Sequence, residues 1–380
     1  MGFATDAIHV GQEPDETTGA VMPPINLATT FAYENTEKHK AYVYSRAANP
    51  TRCAFEKNMA ALEKGKYAFA FSTGMAALST MMMLLKSGEH CIISKDVYGG
   101  TFRLCEYVFK DFHFNFSYVD TTILDNIVKA ITPLTRMVLI ETPSNPLLKV
   151  TDIAAVAQIC REQKLISVID NTFMTPYYQN PLLLGMDMVI HSTTKYINGH
   201  SDCLGGVLAL NDETIAERVR FLQKSIGAVL SPFDSWLTMR GVKTLALRME
   251  KHTANAVKVA EFLRRHSKVI HVYYPGFEDS PGHEIQKKQS RGSGGMVSFD
   301  LGTYEKAKAF LDNLKMCALA ESLGGVETLI CFPVTMSHSS VTKEIREEMG
   351  ITDHLIRVSV GCEDAEDIIQ DLSSALEAIP

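Results

Sequence analysis

Two stretches of the sequence decide the fold prediction: residues 165–172 are LISVIDNT and residues 187–202 are DMVIHSTTKYINGHSD. Each contains a short apolar run, which is typical of a buried strand. The first run ends at Asp170, and the second is followed closely by Ser192 and Lys195. Ligands of parallel α/β sheets bind beyond the carboxyl ends of the strands, so these polar side chains are candidates for a functional site.

Short apolar runs alternate with helical patterns through most of the chain. Strands are predicted at residues 67–71, 90–94, 113–119, 137–141, 165–170, 188–191 and 205–210. Helices are predicted at residues 53–63, 75–85 and 152–163. Strands that alternate with helices indicate an α/β fold with a mostly parallel central sheet that is covered on both faces.

The pattern loosens in the last third of the chain. A helix-rich region is predicted at 236–265, strands at 296–301 and 355–360, and a closing amphipathic helix at 363–378. Residues 1–45 lack sustained periodicity and contain Pro23-Pro24, which indicates an extended arm with turns. We therefore predict three parts, namely the arm at 1–45, a large domain at 46–240 and a smaller C-terminal α/β domain at 241–380.

The composition is that of an ordinary globular protein. The 380 residues are 46% hydrophobic, and 37 basic against 44 acidic residues give a net charge of −7. Because the basic residues are scattered, this charge does not favour a nucleic-acid or membrane partner. The longest apolar stretch, 75–85, is too short to span a bilayer. Eight widely spaced cysteines and an N-terminus without a secretory pattern predict reduced thiols and a cytoplasmic location.

Three features at predicted strand ends can carry chemistry, and each also has a purely structural interpretation. The turn before the helix at Gly74 can bind an anion through its amides, although many such turns contain glycine. Asp170 can cap a turn, or it can pair with a protonated heterocyclic nitrogen. Lys195 can be a solvated surface charge, or it can attack an aldehyde if burial lowers its pKa.

One cofactor accounts for these features together. Pyridoxal phosphate (PLP) needs an anion cradle, a carboxylate for its ring nitrogen and a lysine for its aldehyde. Tyr98, which follows the strand at 90–94, can stack on the ring. The glycine-rich signatures of nicotinamide and nucleoside-triphosphate enzymes and the His-Glu-x-x-His signature of zinc enzymes are missing from the sequence. The sequence therefore predicts a PLP enzyme without a metal site.

Several longer motifs occur in a fixed order. They are Tyr44-Ser45-Arg46, Asn49-Pro50-Thr51-Arg52, Glu141-Thr142-Pro143-Ser144-Asn145-Pro146, the stretch 187–202, Glu321-Ser322-Leu323-Gly324-Gly325 and Leu355-Ile356-Arg357-Val358-Ser359-Val360-Gly361. With them the chain resembles, nearly end to end, the Cys/Met-metabolism enzymes that use PLP. The resemblance implies the PLP-dependent transferase-like fold of the aspartate aminotransferase type, which is fold type I.

The resemblance also implies roles for individual residues. Lys195 would hold the cofactor and move protons, Asp170 would pair with the ring nitrogen, and Tyr98 would stack on the ring and act as a second catalytic group. The phosphate would be held by Gly74, Met75, Ser192 and Thr194, and across a subunit boundary by Tyr44 and Arg46. The substrate would be bound by Asn145, Ser322 and Arg357 at its α-carboxylate and by Glu321 at its distal ammonium. The family usually forms homotetramers with shared sites.

Within the family, the resemblance is strongest to enzymes that eliminate at the gamma carbon of cystathionine, releasing cysteine, 2-oxobutanoate and ammonia, with hydrogen sulfide as a side product. Gamma-replacement on O-acyl homoserine is the second alternative, followed by methionine elimination or homoserine sulfhydrylation, and an inactive scaffold is the non-enzymatic one. Glu321 favours the first two. Gly100 stands where methionine-specific relatives usually carry cysteine. Val43 departs from the expected pattern, because gamma-eliminating relatives often have glutamate there.

Overall fold

The computed structural model describes residues 1–339 and 341–379. Its larger sheet has seven strands in the order β1-β7-β6-β5-β4-β2-β3. The strands are β1 (Tyr67–Phe71), β2 (His90–Ser94), β3 (Asn115–Val119), β4 (Thr135–Glu141), β5 (Ile166–Asp170), β6 (Met188–Ser192) and β7 (Gly206–Leu210). Strand β7 runs antiparallel to its neighbours β1 and β6, and the remaining pairs are parallel. This arrangement agrees with the predicted, mostly parallel sheet.

Buried side chains on both faces explain why these strands are almost continuously apolar. Side chains alternate between the two faces of a strand. Val168 and Ile190 accordingly pack into one hydrophobic cluster, and Ile169 and Val189 pack into another. A strand that is covered on both faces has no solvent side that would require polar residues.

Helices cover both faces of the large sheet and continue into the last third of the chain. They are α1 (Phe3–His9), α2 (Pro50–Leu62), α3 (Gly74–Met82), α4 (Gly99–Tyr107), α5 (Leu124–Ala130), α6 (Ile153–Gln163), α7 (Thr175–Tyr178), α8 (Glu213–Ile226), α9 (Pro232–Val242), α10 (Leu245–Arg265), α11 (His283–Gln289), α12 (Tyr304–Asp312), α13 (Lys343–Met349) and α14 (Ala365–Glu377). Two short 3-10 helices span Phe109–Phe112 and Pro181–Leu184.

The predicted helix 53–63 starts three residues earlier in the structure. The Asn49 side chain accepts hydrogen bonds from the backbone N–H groups of Thr51 (2.9 Å) and Arg52 (3.4 Å), and Pro50 occupies the first helical position. Asparagine at the cap and proline in the first turn are a favourable helix start. The first turn of α2 is therefore fixed by its cap and not by apolar periodicity.

A second sheet lies in the last third of the chain. Its five strands follow the order β10-β11-β12-β9-β8, and they are β8 (His271–Tyr273), β9 (Met296–Asp300), β10 (Ala318–Leu319), β11 (Leu329–Cys331) and β12 (Leu355–Ser359). Phe299 and Ile356 on this sheet pack with Leu263 of α10 and Leu372 of α14. The predicted helix-rich region 236–265 divides into α9 and α10, with the break at residues 243–244.

The N-terminal segment is not extended throughout, which corrects the sequence expectation. Residues 3–9 form α1, which packs against α2. The Asn58 side chain of α2 donates hydrogen bonds to the carbonyl oxygens of Asp6 (3.1 Å) and Val10 (2.8 Å). These long-range bonds stabilise a seven-residue helix that would be marginal in isolation.

The three-part division of the chain remains a prediction, and residue 380, its last residue, lies outside the described residues. All eight cysteines are free thiols, and most are buried. Across the described part of the chain, none of the helices has the length and apolar character needed to cross a membrane.

Candidate active site

A cavity of about 460 Å³ opens at the carboxyl ends of β4, β5 and β6. Eleven of the thirteen residues that the sequence assigned to a site line it. They are Gly74, Met75, Tyr98, Asn145, Asp170, Ser192, Thr194, Lys195, Glu321, Ser322 and Arg357. Residues that are up to 283 positions apart in the sequence therefore share one concave space.

Asp170 and Ser192 end adjacent strands and are linked through Thr172. The Thr172 backbone N–H donates to Asp170 Oδ1 at 3.0 Å, and the Thr172 hydroxyl accepts from the Ser192 N–H at 2.9 Å. Burial raises the pKa of Asp170 above its usual value, although the Thr172 hydrogen bonds oppose this. A cation placed against this carboxyl group would favour its ionised form.

The start of α3 supplies anion-binding groups. Thr73 caps the helix by accepting from the Ala76 N–H at 2.9 Å. The N–H groups of Gly74 and Met75 lie in the first turn, where a helix provides no intrahelical acceptor. A Cβ atom on Gly74 would lie 2.9 Å from Ser192 Cβ, so glycine permits the close approach of α3 to β6. Helix amides and the Ser192 hydroxyl together suit a phosphate.

Thr194 also lines the cavity, but its hydroxyl is engaged locally. It donates to the Gly205 carbonyl oxygen at 3.3 Å and accepts from the Gly205 N–H at 3.0 Å. To donate a hydrogen bond to a phosphate, the Thr194 hydroxyl would have to give up its hydrogen bond to the Gly205 carbonyl oxygen.

Lys195 has the features of a nucleophilic amine. Its Nζ donates to Ser322 Oγ at 2.7 Å. Burial, together with the positive charge of Arg357, lowers the pKa of Lys195 to about 8. Ser322 has a φ of 91°, which is a strained conformation for a residue other than glycine. Such a conformation persists only where the surrounding structure holds the residue in place.

Tyr98 lies at the mouth of the cavity, where 38% of the residue is exposed. Its backbone N–H donates to Glu141 Oε2 at 3.0 Å. A Cβ atom on Gly100 would lie 2.3 Å from the Tyr98 ring, so the ring occupies the space that a larger residue at position 100 would need. Burial raises the pKa of Tyr98. The phenol is therefore protonated at neutral pH and able to donate a proton.

Arg357 presents donors suited to a carboxylate. The residue is 2% exposed, and its Nη1 and Nη2 donate to Asn145 Oδ1 (2.8 Å) and the Ser322 carbonyl oxygen (2.9 Å). Its Nε has no hydrogen-bond partner within residues 1–339 and 341–379. Because β12 supplies Arg357 and the loop after β4 supplies Asn145, both sheets contribute to this side of the cavity.

Comparisons with known proteins agree with this geometry. A sequence profile described as "Cys/Met metabolism PLP-dependent enzyme" matches residues 4–377. The chain is 50% identical over 379 residues to the cystathionine gamma-lyase of Bacillus subtilis (strain 168), with 100% of both chains covered. It is also 50% identical over 373 residues to the cystathionine beta-lyase of Lactococcus lactis subsp. cremoris (strain MG1363), with 98% of each covered.

A solved structure shows the same fold. The crystal structure of cystathionine gamma-lyase from Lactobacillus plantarum complexed with L-serine superimposes with a TM-score of 0.98, at 45% identity, and the match covers 100% of this chain and 99% of the other. This chain belongs to the Cys/Met metabolism PLP-dependent enzymes. Membership confirms the predicted cofactor and the predicted fold class.

The polar groups that line the cavity match the functional groups of PLP. The Gly74 and Met75 amides and the Ser192 hydroxyl suit the phosphate, the Asp170 carboxyl group suits the ring nitrogen, and the Lys195 amine suits the aldehyde. The unpartnered Nε of Arg357 remains as a donor for an amino-acid carboxylate.

Two predicted residues lie outside the cavity of their own chain. Tyr44 is 44% exposed on the N-terminal segment, and the Arg46 guanidinium lies over its ring, 5.5 Å from the centroid. Arg46 Nη1 donates to the Lys224 carbonyl oxygen at 2.7 Å. Neither residue reaches the phosphate-binding groups of its own chain.

Five polar residues that line the cavity were not assigned to the site from the sequence, namely Thr73, Thr101, Glu141, Thr172 and Ser337. Glu141 lies beside Asp170 in the register of β4 and β5. Burial and the neighbouring Asp170 carboxyl group raise the pKa of Glu141 well above its usual value. Its position at a strand end, where Asp170 was also found, was the signal that could have identified it.

Proposed function

We propose that the protein is a cystathionine gamma-lyase. It would break the bond between the gamma carbon and sulfur of L-cystathionine and, with one water consumed, release L-cysteine, 2-oxobutanoate and ammonia. One observation carries the proposal: the weakly basic Lys195 amine, the Arg357 guanidinium and the Glu321 carboxylate line one cavity. A nucleophile, a carboxylate-binding group and an acceptor for a distal ammonium match the functional groups of cystathionine.

PLP, when bound, withdraws electrons from the substrate and so makes protons on its α and β carbons acidic. Asp170 would keep the ring nitrogen protonated, and an ionised carboxyl group there would be favoured by that cation. The amides of Gly74 and Met75 and the Ser192 hydroxyl would hold the phosphate. Lys195 would hold the cofactor through its aldehyde until substrate arrives.

The side chains of this cavity would then orient the substrate and move its protons. Arg357 and Asn145 would fix the α-carboxylate by charge-assisted hydrogen bonds. Lys195 Nζ would take the α proton, which a pKa of about 8 allows near neutral pH. The Tyr98 hydroxyl would protonate the departing sulfur, because its raised pKa keeps the proton available.

The N-terminal segment would complete the site of a neighbouring subunit. Tyr44 and Arg46 lie outside their own cavity, and apolar residues of the same segment are exposed, including Val21 (77%) and Leu27 (68%). Contiguous exposed apolar surface favours association. We propose that Tyr44 and Arg46 reach the phosphate of a partner, that dimers assemble into a homotetramer, and that the enzyme is cytoplasmic.

Beta-elimination of cystathionine is the second candidate function. The Lactococcus lactis relative, at 50% identity over nearly the full length, is a cystathionine beta-lyase. Val43, beside Tyr44, also gives the N-terminal segment an apolar side chain at a position where the resemblance led us to expect glutamate. Gamma-replacement would use the same cavity with a thiol in place of water.

Product analysis separates these alternatives. The purified protein is incubated with L-cystathionine, with L-methionine, or with O-acetyl homoserine plus cysteine, and 2-oxobutanoate, pyruvate and cystathionine are quantified. The proposal expects 2-oxobutanoate and cysteine from cystathionine as the dominant products. Predominant pyruvate would assign beta-elimination, predominant cystathionine synthesis would assign gamma-replacement, and a protein that binds PLP without turnover would be an inactive scaffold.

A further inference from the structure

Behind the cavity, on the opposite face of the large sheet, lies a buried polar network that the proposed mechanism does not use. Glu63, directly after α2, accepts hydrogen bonds from His191 Nε2 and, at 3.3 Å, from Asn171 Nδ2. Glu63, His191 and Asn171 are all 0% exposed. A carboxyl group so deeply buried needs a reason, because polar groups are expensive to remove from water.

Each partner of Glu63 is the sequence neighbour of a residue in the proposed cofactor site. Asn171 follows Asp170, and His191 precedes Ser192. Side chains alternate across a strand, so Asp170 and Ser192 face the cavity while Asn171 and His191 face the other side. The cavity lining and the hydrophobic clusters agree, since Ile190 lines the cavity and Val189 packs into the cluster on the far face. The Glu63 carboxyl group thus links the ends of β5 and β6 on the face of the sheet opposite the cavity.

Hydrogen bonds of Gln179 connect the network to a third strand, β4. Gln179 Nε2 donates to Asn171 Oδ1 at 2.9 Å and to the Thr142 carbonyl oxygen at 3.2 Å, just beyond β4. Asn171 Nδ2 also donates to the Gln179 carbonyl oxygen at 3.0 Å. Asn171 consequently has little freedom to move, and Asp170 is attached directly to it.

The same network is poorly built for stability alone. Glu63 Oε2, His191 Nδ1 and Gln179 Oε1 are buried without a hydrogen-bond partner among the residues that the structure describes. Unpartnered buried polar atoms weaken a fold, and apolar side chains of similar size would fill the space at least as well. A role in holding the strand ends accounts for the network better than a role in stabilising the core.

We propose that Glu63 is a positioning residue that fixes the separation of Asp170 from Ser192, and thereby the distance between the ring anchor and the phosphate anchor of the cofactor site. This proposal rests on the function proposed above for those two residues. A ligand that joins two anchored groups binds much more tightly than either part when the anchors match its length. Loss of Glu63 should therefore weaken the binding of PLP more than the binding of its ring or its phosphate alone.

The test measures binding to the cofactor-free protein and does not use turnover. Affinities are determined for PLP, for pyridoxal, which lacks the phosphate, and for inorganic phosphate as a competitor of PLP uptake. In Glu63→Leu, both hydrogen bonds are lost, and we expect PLP affinity to fall about tenfold or more, by analogy with the loss of an outer hydrogen-bond partner of a metal ligand. Pyridoxal and phosphate affinities should change by less than about twofold, because each uses one anchor.

Two further variants define the interpretation. Glu63→Gln retains an oxygen that accepts from both partners, so it should recover most of the PLP affinity. Asp187→Asn is the matched control, since Asp187 Oδ2 links the amino ends of the same two strands by accepting from the Ser167 N–H (2.8 Å) and hydroxyl (2.6 Å). It should leave all three affinities unchanged. If Glu63→Leu does not fold, His191→Asn, which shortens one partner, carries the same expectation.

Unchanged PLP affinity in Glu63→Leu would overturn the proposal, as would an equal loss for PLP, pyridoxal and phosphate, which would indicate general damage. If the unaltered protein failed to take up PLP at Lys195, the proposed function would fail as well. The two failures are therefore distinguishable by the behaviour of the unaltered protein.

Discussion

Asp170 at the cavity and Asp371 in α14 are both largely enclosed aspartates, and their surroundings act on the carboxyl group in opposite directions. Asp371 accepts hydrogen bonds from three consecutive backbone N–H groups, at residues 315–317, over 2.8–3.0 Å. Although burial acts to raise it, these bonds hold the pKa of Asp371 below its usual value. Within the described residues, Asp170 receives hydrogen bonds from Thr172 alone, and burial raises its pKa.

The difference separates a carboxyl group that stabilises the fold from one that is prepared for a ligand. Asp371 is fully satisfied by its own chain, so its charge contributes to stability. Asp170 and Lys195 are held in a cavity that disfavours their charged forms, and a bound cofactor would supply what the chain does not. Substitutions in the cavity should therefore abolish function while sparing stability, and substitution of Asp371 should do the reverse.

Lys195→Ala tests the functional half of this comparison with the largest expected effect. Turnover of cystathionine should fall by about 10³-fold or more, the scale seen when a central catalytic group is removed. Borohydride reduction should no longer attach the cofactor to this peptide, whereas mapping of the unaltered protein should place the label on Lys195. The urea midpoint of the cofactor-free protein should not fall, because a buried amine is removed.

Lys308→Ala, on the surface of α12, is the matched lysine control and should behave as the unaltered protein. Retained turnover in Lys195→Ala, or a borohydride label on another residue, would refute the assignment of the nucleophile.

Asp170→Asn should have the next largest effect. The amide cannot supply the negative charge that keeps a ring nitrogen protonated, so turnover should fall about a hundredfold, as for the loss of one electrostatic group in other active sites. Steady-state kinetics and the near-visible absorbance of the bound cofactor provide the measurement. Asp187→Asn, at the far end of the same strands, should change neither. Equal losses in both variants would mean that the strand pair is perturbed and that the carboxyl group of Asp170 has no special role.

The sequence predicted the residues of the cavity better than the buried polar residues that hold the fold together. Asp170, Ser192 and Lys195 follow apolar runs, and strand ends meet at one edge of a parallel sheet, so their proximity follows from local pattern and topology. The contact between Glu63 and His191 joins residues 128 positions apart. No periodicity marks Glu63, because it follows the end of a helix and its partner is set by tertiary packing.

Short elements were missed for a related reason. Strands β8, β10 and β11 have two or three residues each, too few for alternation to be recognised. Helix α1 depends on hydrogen bonds from Asn58, which no pattern within residues 3–9 could indicate. The N–H groups that Asp371 binds lie 54–56 residues away, so its role also required the structure.

Asp371→Asn tests the stabilising half. The amide loses the charge and one acceptor oxygen, and we expect the free energy of unfolding to fall by roughly 2 kcal/mol, in the range for hydrogen bonds to a charged group. Turnover per folded molecule should be unchanged, since Asp371 lies outside the cavity. Urea denaturation followed by circular dichroism gives the first quantity, and kinetics below the transition give the second. A stable Asp371→Asn protein with low activity would reverse our assignment of the two aspartates.

The smallest expected effect, and the sharpest form of the comparison, is the pH dependence of stability in the two Asp→Asn variants without cofactor. The folded pKa of Asp371 lies below its unfolded value, so the stability it contributes is present above the unfolded value and is lost as pH falls through the folded one. The destabilisation by Asp371→Asn should therefore shrink in acid. The folded pKa of Asp170 lies above its unfolded value, so ionisation progressively destabilises the unaltered protein as pH rises.

Asp170→Asn should accordingly be the more stable protein at neutral pH, and this advantage should also vanish in acid. Urea midpoints measured from pH 3 to pH 8 would give two difference curves of opposite sign that converge at low pH. If the Asp170→Asn curve instead had the sign of the Asp371→Asn curve, the carboxyl group at the cavity would already be compensated by its own chain. The distinction between a satisfied and an unsatisfied aspartate would then be lost, because only an uncompensated acid gains stability when its charge is removed.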